Sequence, residues 1–317
     1  WAGAILLLCF AALAGMAMQK RSSTPVSQET FLFDTVLSIS IYDSAGKDPL
    51  DSVFEQVFNR SREIESEFSV FQEDSTAEKI NRKAAEGAVN INEDFSKVLK
   101  TAMQVSELSQ GAFDITVKPL SDLWNFNSSA PTVPSSEKIK QALEKVDYQS
   151  IVLSDRSIRF QSADTQVEFG AVAKGYAVQE AANQLRDLGI QKAIVNYGGN
   201  VALVGEKETG KGFTVGIQTP FASTGEYFVL LQLSDCALAT SGAYERNFTI
   251  DGVLYHHILN PATGYPADSG LKSVTVVCKD AAEADALSTA FFVLGLDRSM
   301  EILSSLEGVE AIFVNNQ

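Results

Sequence analysis

The stretch from Gln166 to Gly205, QVEFGAVAKGYAVQEAANQLRDLGIQKAIVNYGGNVALVG, changes its hydrophobic period twice. Val167 and Phe169 alternate with Glu168 ahead of Gly170, which predicts a half-buried strand over 166–169. Val172, Tyr176, Ala177, Leu185 and Leu188 then keep helical spacing, with Gly189 placed as a C-cap. Ala193 to Tyr197 is a short β-type run closed by Gly198-Gly199-Asn200. The chemistry of such a unit lies at its ends. A helix N-terminus presents unpaired N–H groups and a partial positive charge that suit a phosphate, and Lys174 adds a full charge one turn in. Gly198 and Gly199 let the backbone approach a flat ligand closely. The spacing matches neither G-x-G-x-x-G nor G-x-x-x-x-G-K-[ST], so neither phosphate-binding mechanism is claimed. A packing unit with a surface lysine accounts for the same residues.

Outward from this unit, the 317 residues suffice for one large or two ordinary domains, and the 45% hydrophobic content is that of a globular protein with a sizeable core. The net charge of −15 is spread along the chain, which argues against a nucleic acid, whose phosphates need clustered basic residues. A phosphorylated small molecule needs only a local positive pocket or a metal. Three cysteines, Cys9, Cys236 and Cys278, make no disulfide framework, and the last two read as buried thiols in strands.

Residues 1–21 read as a signal peptide or membrane anchor, since Trp1 to Met18 is almost wholly apolar and about 18 such residues just span a bilayer. Met16 follows Leu13-Ala14-Gly15 where a lipidated cysteine would stand, which favours an uncleaved anchor or ordinary secretion. Residues 22–30 read as a linker and 31–317 as one globular domain, expected on the extracytoplasmic side of the cytoplasmic or inner membrane.

Within that domain, Phe31 to Tyr42 reads as a strand, Leu50 to Phe68 as an amphipathic helix, and Asp94 to Leu108 as a helix N-capped by Asp94. Gly111 to Val117 reads as a glycine-led strand. Strands near 213–218, 227–234 and 271–278 and helices over 281–295 and 298–306 follow. Helices and strands mix without strict βαβ alternation, so the expected fold class is α+β with a mixed β-sheet core and flanking helices.

Four constellations carry possible chemistry. Asp285 and Thr289 stand i, i+4 apart, so their oxygens share a helical face that suits a hard cation such as Mg²⁺, although an Asp near a helix start also serves as a cap. His256 and His257 are the two histidines of the chain; in a strand they face opposite ways, which suits a general base or a hydrogen-bonding niche better than a shared metal. Asp114 in GAFDITV stands either against a ligand or capped within a strand. The hydroxyl-rich Ala239-Thr-Ser-Gly-Ala-Tyr244 is what a simple turn also looks like.

Taken in order, FDT (33–35), GAFDITVKPL (111–120), EFGAVAKGYA (168–177), NYGGN (196–200), ATSG (239–242), HILNPATG (257–264) and ADALSTA (284–290) resemble the ApbE family, the FAD:protein FMN transferases. The resemblance covers the chain from about Phe31 to its end. It implies an ApbE-like fold and a Mg²⁺-dependent enzyme that moves the FMN half of FAD onto a threonine of a partner protein and releases AMP. The implied acceptor is a membrane redox-complex subunit or a secreted flavoprotein. By position, the resemblance implies Phe33 and Phe71 as flavin or adenine neighbours, with Ala112, Phe113, Asp114, Glu168, Lys174, Ile258 and Ser288 lining FAD. It further implies a metal held by the Ala171 carbonyl, Asp285 and Thr289, and His257 as base beside catalytic Lys174 and Asp285. Glu168 stands where the family usually has Asp, and Phe33 and Phe71 where Met and Tyr are often seen. The same metal site would serve an FAD pyrophosphatase, and an extracytoplasmic FAD-binding protein without turnover would carry the same ligand contacts.

Overall fold

The computed structural model describes residues 24–43, 49–223 and 225–315. The apolar N-terminal stretch with Cys9, expected as signal or anchor, lies outside the described residues; among those, no helix is long and apolar enough to cross a membrane. In chain order the strands are β1 (Val26–Leu32), β2 (Thr35–Ile41), β3 (Val89–Asn90), β4 (Ile151–Ser154), β5 (Ser157–Phe160), β6 (Ala193–Tyr197), β7 (Asn200–Val204), β8 (Phe213–Gln218), β9 (Tyr227–Leu233), β10 (Ala237–Gly242), β11 (Asn247–Ile250), β12 (Val253–His256), β13 (Leu271–Cys278) and β14 (Glu310–Asn315). The helices are α1 (Leu50–Phe68), α2 (Thr76–Lys83), α3 (Glu93–Leu108), α4 (Lys118–Trp124), α5 (Ser136–Leu143), α6 (Ala173–Asp187), α7 (Ala281–Leu294) and α8 (Leu296–Leu303).

The fold is α+β, as the mixture of periods predicts. Its core is a seven-stranded sheet of order β1-β2-β6-β7-β10-β13-β14, and its strand directions are more uniform than a mixed sheet, every pairing being antiparallel. β7 is buried along its whole length because both faces are covered. Ala202 and Val204 join the helix-side core, while Val201 and Leu203 meet Phe213, Ile217 and Leu238 under the β8–β9 hairpin. On the helix side, α7 is apolar nearly all round and fully enclosed, as such a sequence requires. It crosses α6 at Gly175, where an added Cβ would lie 2.2 Å from the Ala281 carbonyl oxygen and 2.7 Å from Asp285 Cβ. Only glycine admits that approach. A satellite core of Leu120, Trp124, Ile139 and Leu259, joined by Phe248 and Tyr255, ties the β11–β12 hairpin to α4 and α5. The Trp124 Nε1–H donates to the Gly264 carbonyl at 2.8 Å.

The sheet parts where the ligand is expected. β7 and β10 pair only at Ala202↔Ala237 and Val201↔Leu238. β7 begins at Asn200, while β10 runs on to Gly242 paired with β13 alone.

Several local expectations are corrected. Residues 31–42 form a hairpin rather than one strand, because Phe33 and Asp34 adopt φ of 52° and 56° and turn the chain. β1 starts at Val26, so residues 26–30, expected in a linker, pair with β2 through backbone bonds that their polar sequence does not advertise. Residues 111–117 are a loop and a single 3-10 turn, not a strand, since Asp114 caps Thr116. The extended residues 166–169 join no ladder; Asn81 brackets Val167 through its N–H and carbonyl at 2.7 and 2.9 Å. α3 is capped by Asn92, and Asp94 instead binds Arg60 and the Tyr176 hydroxyl. The hydroxyl-rich 239–242 lies in β10 rather than in a turn. Cys236 is half-buried and Cys278 buried, and both are free.

Candidate active site

At the α6–α7 crossing the Gly175 N–H points out of its own helix and donates to Asp285 Oδ2 at 2.9 Å. Ala171 precedes the helix N-cap Val172, and its carbonyl has no donor among the described residues. Asp285 is buried, and the Asn200 side chain at the start of β7 is near enough to favour its charged form. Burial raises the Asp285 carboxyl, while the Lys174 charge, the Gly175 N–H and Asn200 draw it back down. Lys174 projects from the first turn of α6, its Nζ donating to the Gly170 carbonyl at 2.9 Å. Four residues on from Asp285, the Thr289 hydroxyl meets Ser241 Oγ at 3.0 Å, and Ser241 also meets Ser288 Oγ at 2.8 Å. Ser288 in turn donates to the Asp285 carbonyl at 2.9 Å, so this fully buried residue braces the helix.

His257 closes the other side, just past β12. Its N–H donates to the Arg246 carbonyl at 3.0 Å, and its Nδ1 is buried without a protein partner. Burial first, then the charges of Lys174 and Arg246, lower its pKa to about 3. The ring is therefore neutral at neutral pH, with a lone pair free to accept a proton. The Lys174 charge acts on both His257 and Asp285.

The remaining expected residues lie in different settings. Glu168 accepts from Ser121 Oγ at 2.8 Å, and burial holds its carboxyl above the usual range. Lys118 chelates Asp122 at 2.6 and 2.7 Å and lies 5.5 Å above the Phe71 ring, which is 81% exposed. Phe33 sits in the β1–β2 turn with its N–H on Glu65, and the neighbouring Asp34 faces Arg246 at 3.7 Å. Ala112 is half-buried, Ile258 is buried, and the Phe113 ring is in the core. Asp114 is spent on protein bonds: Oδ1 takes the Thr116 N–H at 2.7 Å and hydroxyl at 2.6 Å, and Oδ2 takes the Tyr148 N–H at 2.9 Å. It pins the loop that carries Ala112 through these three protein bonds.

Sequence reasoning missed Asn200, Ser241 and Arg246. Asn200 and Ser241 stand inside motifs already singled out, NYGGN and ATSG, but their roles depend on long-range contacts with α7, which no periodicity reports. The buried Asn200 Oδ1 has no protein partner.

No group of three or more His, Cys, Asp or Glu among the described residues is arranged for a metal. One carboxylate with the Thr289 hydroxyl and the Ala171 carbonyl is nevertheless a donor set for a hard cation that takes its other oxygens from phosphate and water. These residues fit Mg²⁺ bound together with a diphosphate.

Comparison with known proteins bears on the same region. The profile described as "ApbE family" matches residues 33–313. The FAD:protein FMN transferase of Treponema pallidum is 28% identical over 324 residues, covering 98% of this chain and 90% of that protein. One from Klebsiella pneumoniae is 31% identical over 266 residues, covering 83% and 82%. The crystal structure of the ApbE protein from Thermotoga maritima superposes with a TM-score of 0.83 at 32% identity, over 92% of this chain and 94% of that one.

Proposed function

This chain belongs to the ApbE family, and from that premise we propose that it transfers the FMN half of FAD to a threonine hydroxyl of an acceptor protein and releases AMP, with Mg²⁺ at Asp285, Thr289 and the Ala171 carbonyl. What supports the reading is the family match over residues 33–313, together with the charge of Lys174 acting on both Asp285 and His257. Bound at Asp285 and Thr289, the cation supplies neutralisation of the diphosphate oxygens.

The chain's own residues account for the rest. Lys174 sits where the diphosphate would lie and balances charge on the departing AMP phosphate. Phe33 and Phe71 offer apolar faces to a ring system, and Glu168 offers an oxygen to its polar edge. His257 accepts the acceptor's hydroxyl proton as the oxygen attacks the FMN phosphorus. The P–O bond to the AMP phosphate breaks, and that oxygen leaves with the bonding electrons. Because Lys174 and Arg246 disfavour a charged His257, the ring passes its proton on rather than keeping it. Asn200 and Gly175 hold Asp285 in place between turnovers.

We place the reaction at the extracytoplasmic face of the cytoplasmic membrane, on the strength of the apolar residues 1–18. A membrane redox-complex subunit or a secreted flavoprotein is then the acceptor to try. The test is incubation with FAD, Mg²⁺ and such an acceptor, followed by its intact mass and by AMP assay. The expected result is one FMN added per AMP released. AMP without a mass gain would mean hydrolysis, and FAD kept unchanged would mean a binding protein.

A further inference from the structure

α6 meets its neighbours on two faces set one residue, about 100°, apart. On the first, Gly175 and Gln179 reach α7. The Gly175 N–H donates to Asp285 Oδ2 at 2.9 Å, and Gln179 Oε1 accepts the Ala281 N–H, one of the open donors at the start of α7, at 3.0 Å. On the second face, Tyr176 and Glu180 reach α1 and α3. The Tyr176 hydroxyl donates to Asp94 Oδ1 at 2.7 Å, and Arg60 on α1 pairs with the other oxygen of Asp94. Arg60 also reaches Glu180 at 3.4 Å. The Tyr176 ring is buried and lies edge-on to Phe68 at 6.2 Å. Asp94 is itself partly buried, so losing either donor leaves its carboxylate poorly matched.

We infer that Arg60, Asp94 and Tyr176 form a clamp that sets the rotation of α6 and so positions Gly175 and Lys174 for the reaction. The inference rests on the transfer reading for what Asp285 and Lys174 do, and it adds three positioning residues that act through the helix. Gly175 lies in the first turn of α6, and its N–H meets Asp285 at only one rotation of the helix. The crossing has no room for a Cβ at Gly175, so a small turn of α6 also changes how closely it approaches Ala281. The apolar side chains elsewhere on the buried face are mostly small: Ala173, Ala177, Ala181 and Ala182. Such shallow ridges resist rotation weakly. Directional bonds from Tyr176 and Glu180, four residues apart on one face, resist it strongly. Lys174 shares the first turn and is carried with it.

The test uses the full chain. Tyr176→Phe removes the hydroxyl and keeps the ring on Phe68, and Asp94→Asn removes the charge that holds Arg60. Ser61→Ala, also on α1, removes a buried 2.8 Å bond to the Tyr197 hydroxyl and is the control for lost stability alone. Gly175 amide exchange is read by NMR in the ligand-free, ¹⁵N-glycine-labelled chain. FAD affinity is read by flavin fluorescence, Mn²⁺ affinity by electron paramagnetic resonance with FAD bound, and stability by urea midpoint. In Tyr176→Phe, Gly175 exchange is expected to quicken and FAD and Mn²⁺ affinities to weaken by about three- to tenfold, and in Asp94→Asn by at least as much. Ser61→Ala is expected to lose stability and to keep exchange and both affinities within about twofold. Unchanged Gly175 exchange or unchanged affinities in a folded Tyr176→Phe overturn the inference. So do equal losses in Ser61→Ala, which would reduce the network to general stability. If Asp94→Asn fails to fold, Tyr176→Phe against Ser61→Ala decides. A wild-type chain that binds FAD and labels no acceptor overturns the transfer reading instead, and the Gly175 exchange series still decides the clamp.

Discussion

Two buried aspartates lie in motifs that look equally functional, and the fold uses them in opposite ways. Asp114 receives three protein donors within its own loop and its neighbour's. Asp285 takes at Oδ2 a backbone N–H from another helix, and its carboxyl is drawn down by the Lys174 charge and Asn200. Burial raises both carboxyls. What separates them is saturation. A carboxylate whose oxygens are spent on N–H and O–H groups holds a loop, whereas one left partly free at a helix crossing is set up for a cation or a phosphate.

The sharpest break of that contrast is Asp285→Asn, expected to cut FMN transfer by about 10²-fold or more with little loss of thermal stability. Asp114→Asn should do the reverse: transfer per folded molecule near wild type, with stability lowered by about 1–3 kcal/mol in urea unfolding. If both lose activity equally, saturation is not the distinction. Next in size, Gly175→Ala should destabilise by about 1–3 kcal/mol and reduce transfer as well, because the new methyl meets the Ala281 carbonyl at 2.2 Å and moves the N–H that holds Asp285. Asn200→Ala is expected to lower transfer by about tenfold and raise the Mg²⁺ requirement, since it orients Asp285 from outside the donor set.

The smallest effect is on pH. In the folded chain His257 titrates near 3, below its ordinary 6.5, so between those values the unfolded chain binds the extra proton. Stability contributed there is present above pH 6.5 and falls as the pH drops toward 3. Urea midpoints at pH 7 and 5 should therefore diverge less in His257→Gln than in wild type.

Much of the frame is legible in the sequence because long periodic segments fix their own type. α1 and the Ala193–Tyr197 strand lie where their patterns place them, and Gly189 ends α6 at φ 83°. What the sequence hides is long-range. Residues 166–169 have a strand's alternation but find Asn81 rather than a ladder, and Phe33-Asp34 reads as strand until its φ values turn it. Asp94 resembles a cap, yet Arg60 and Tyr176 claim it across the core. In the site, Lys174, Asp285 and His257 stand out as charged or titratable groups. Asn200 and Ser241 do not, because their importance comes from long-range contacts with α7.

Metal binding tests the contrast most directly. Mn²⁺, standing in for Mg²⁺, is titrated by electron paramagnetic resonance into wild-type, Asp285→Asn and Asp114→Asn chains, each saturated with FAD. One ion per chain is expected for the wild type and Asp114→Asn, and none at the same concentration for Asp285→Asn. One tightly held ion in Asp285→Asn, or its loss in a folded Asp114→Asn, would contradict the account.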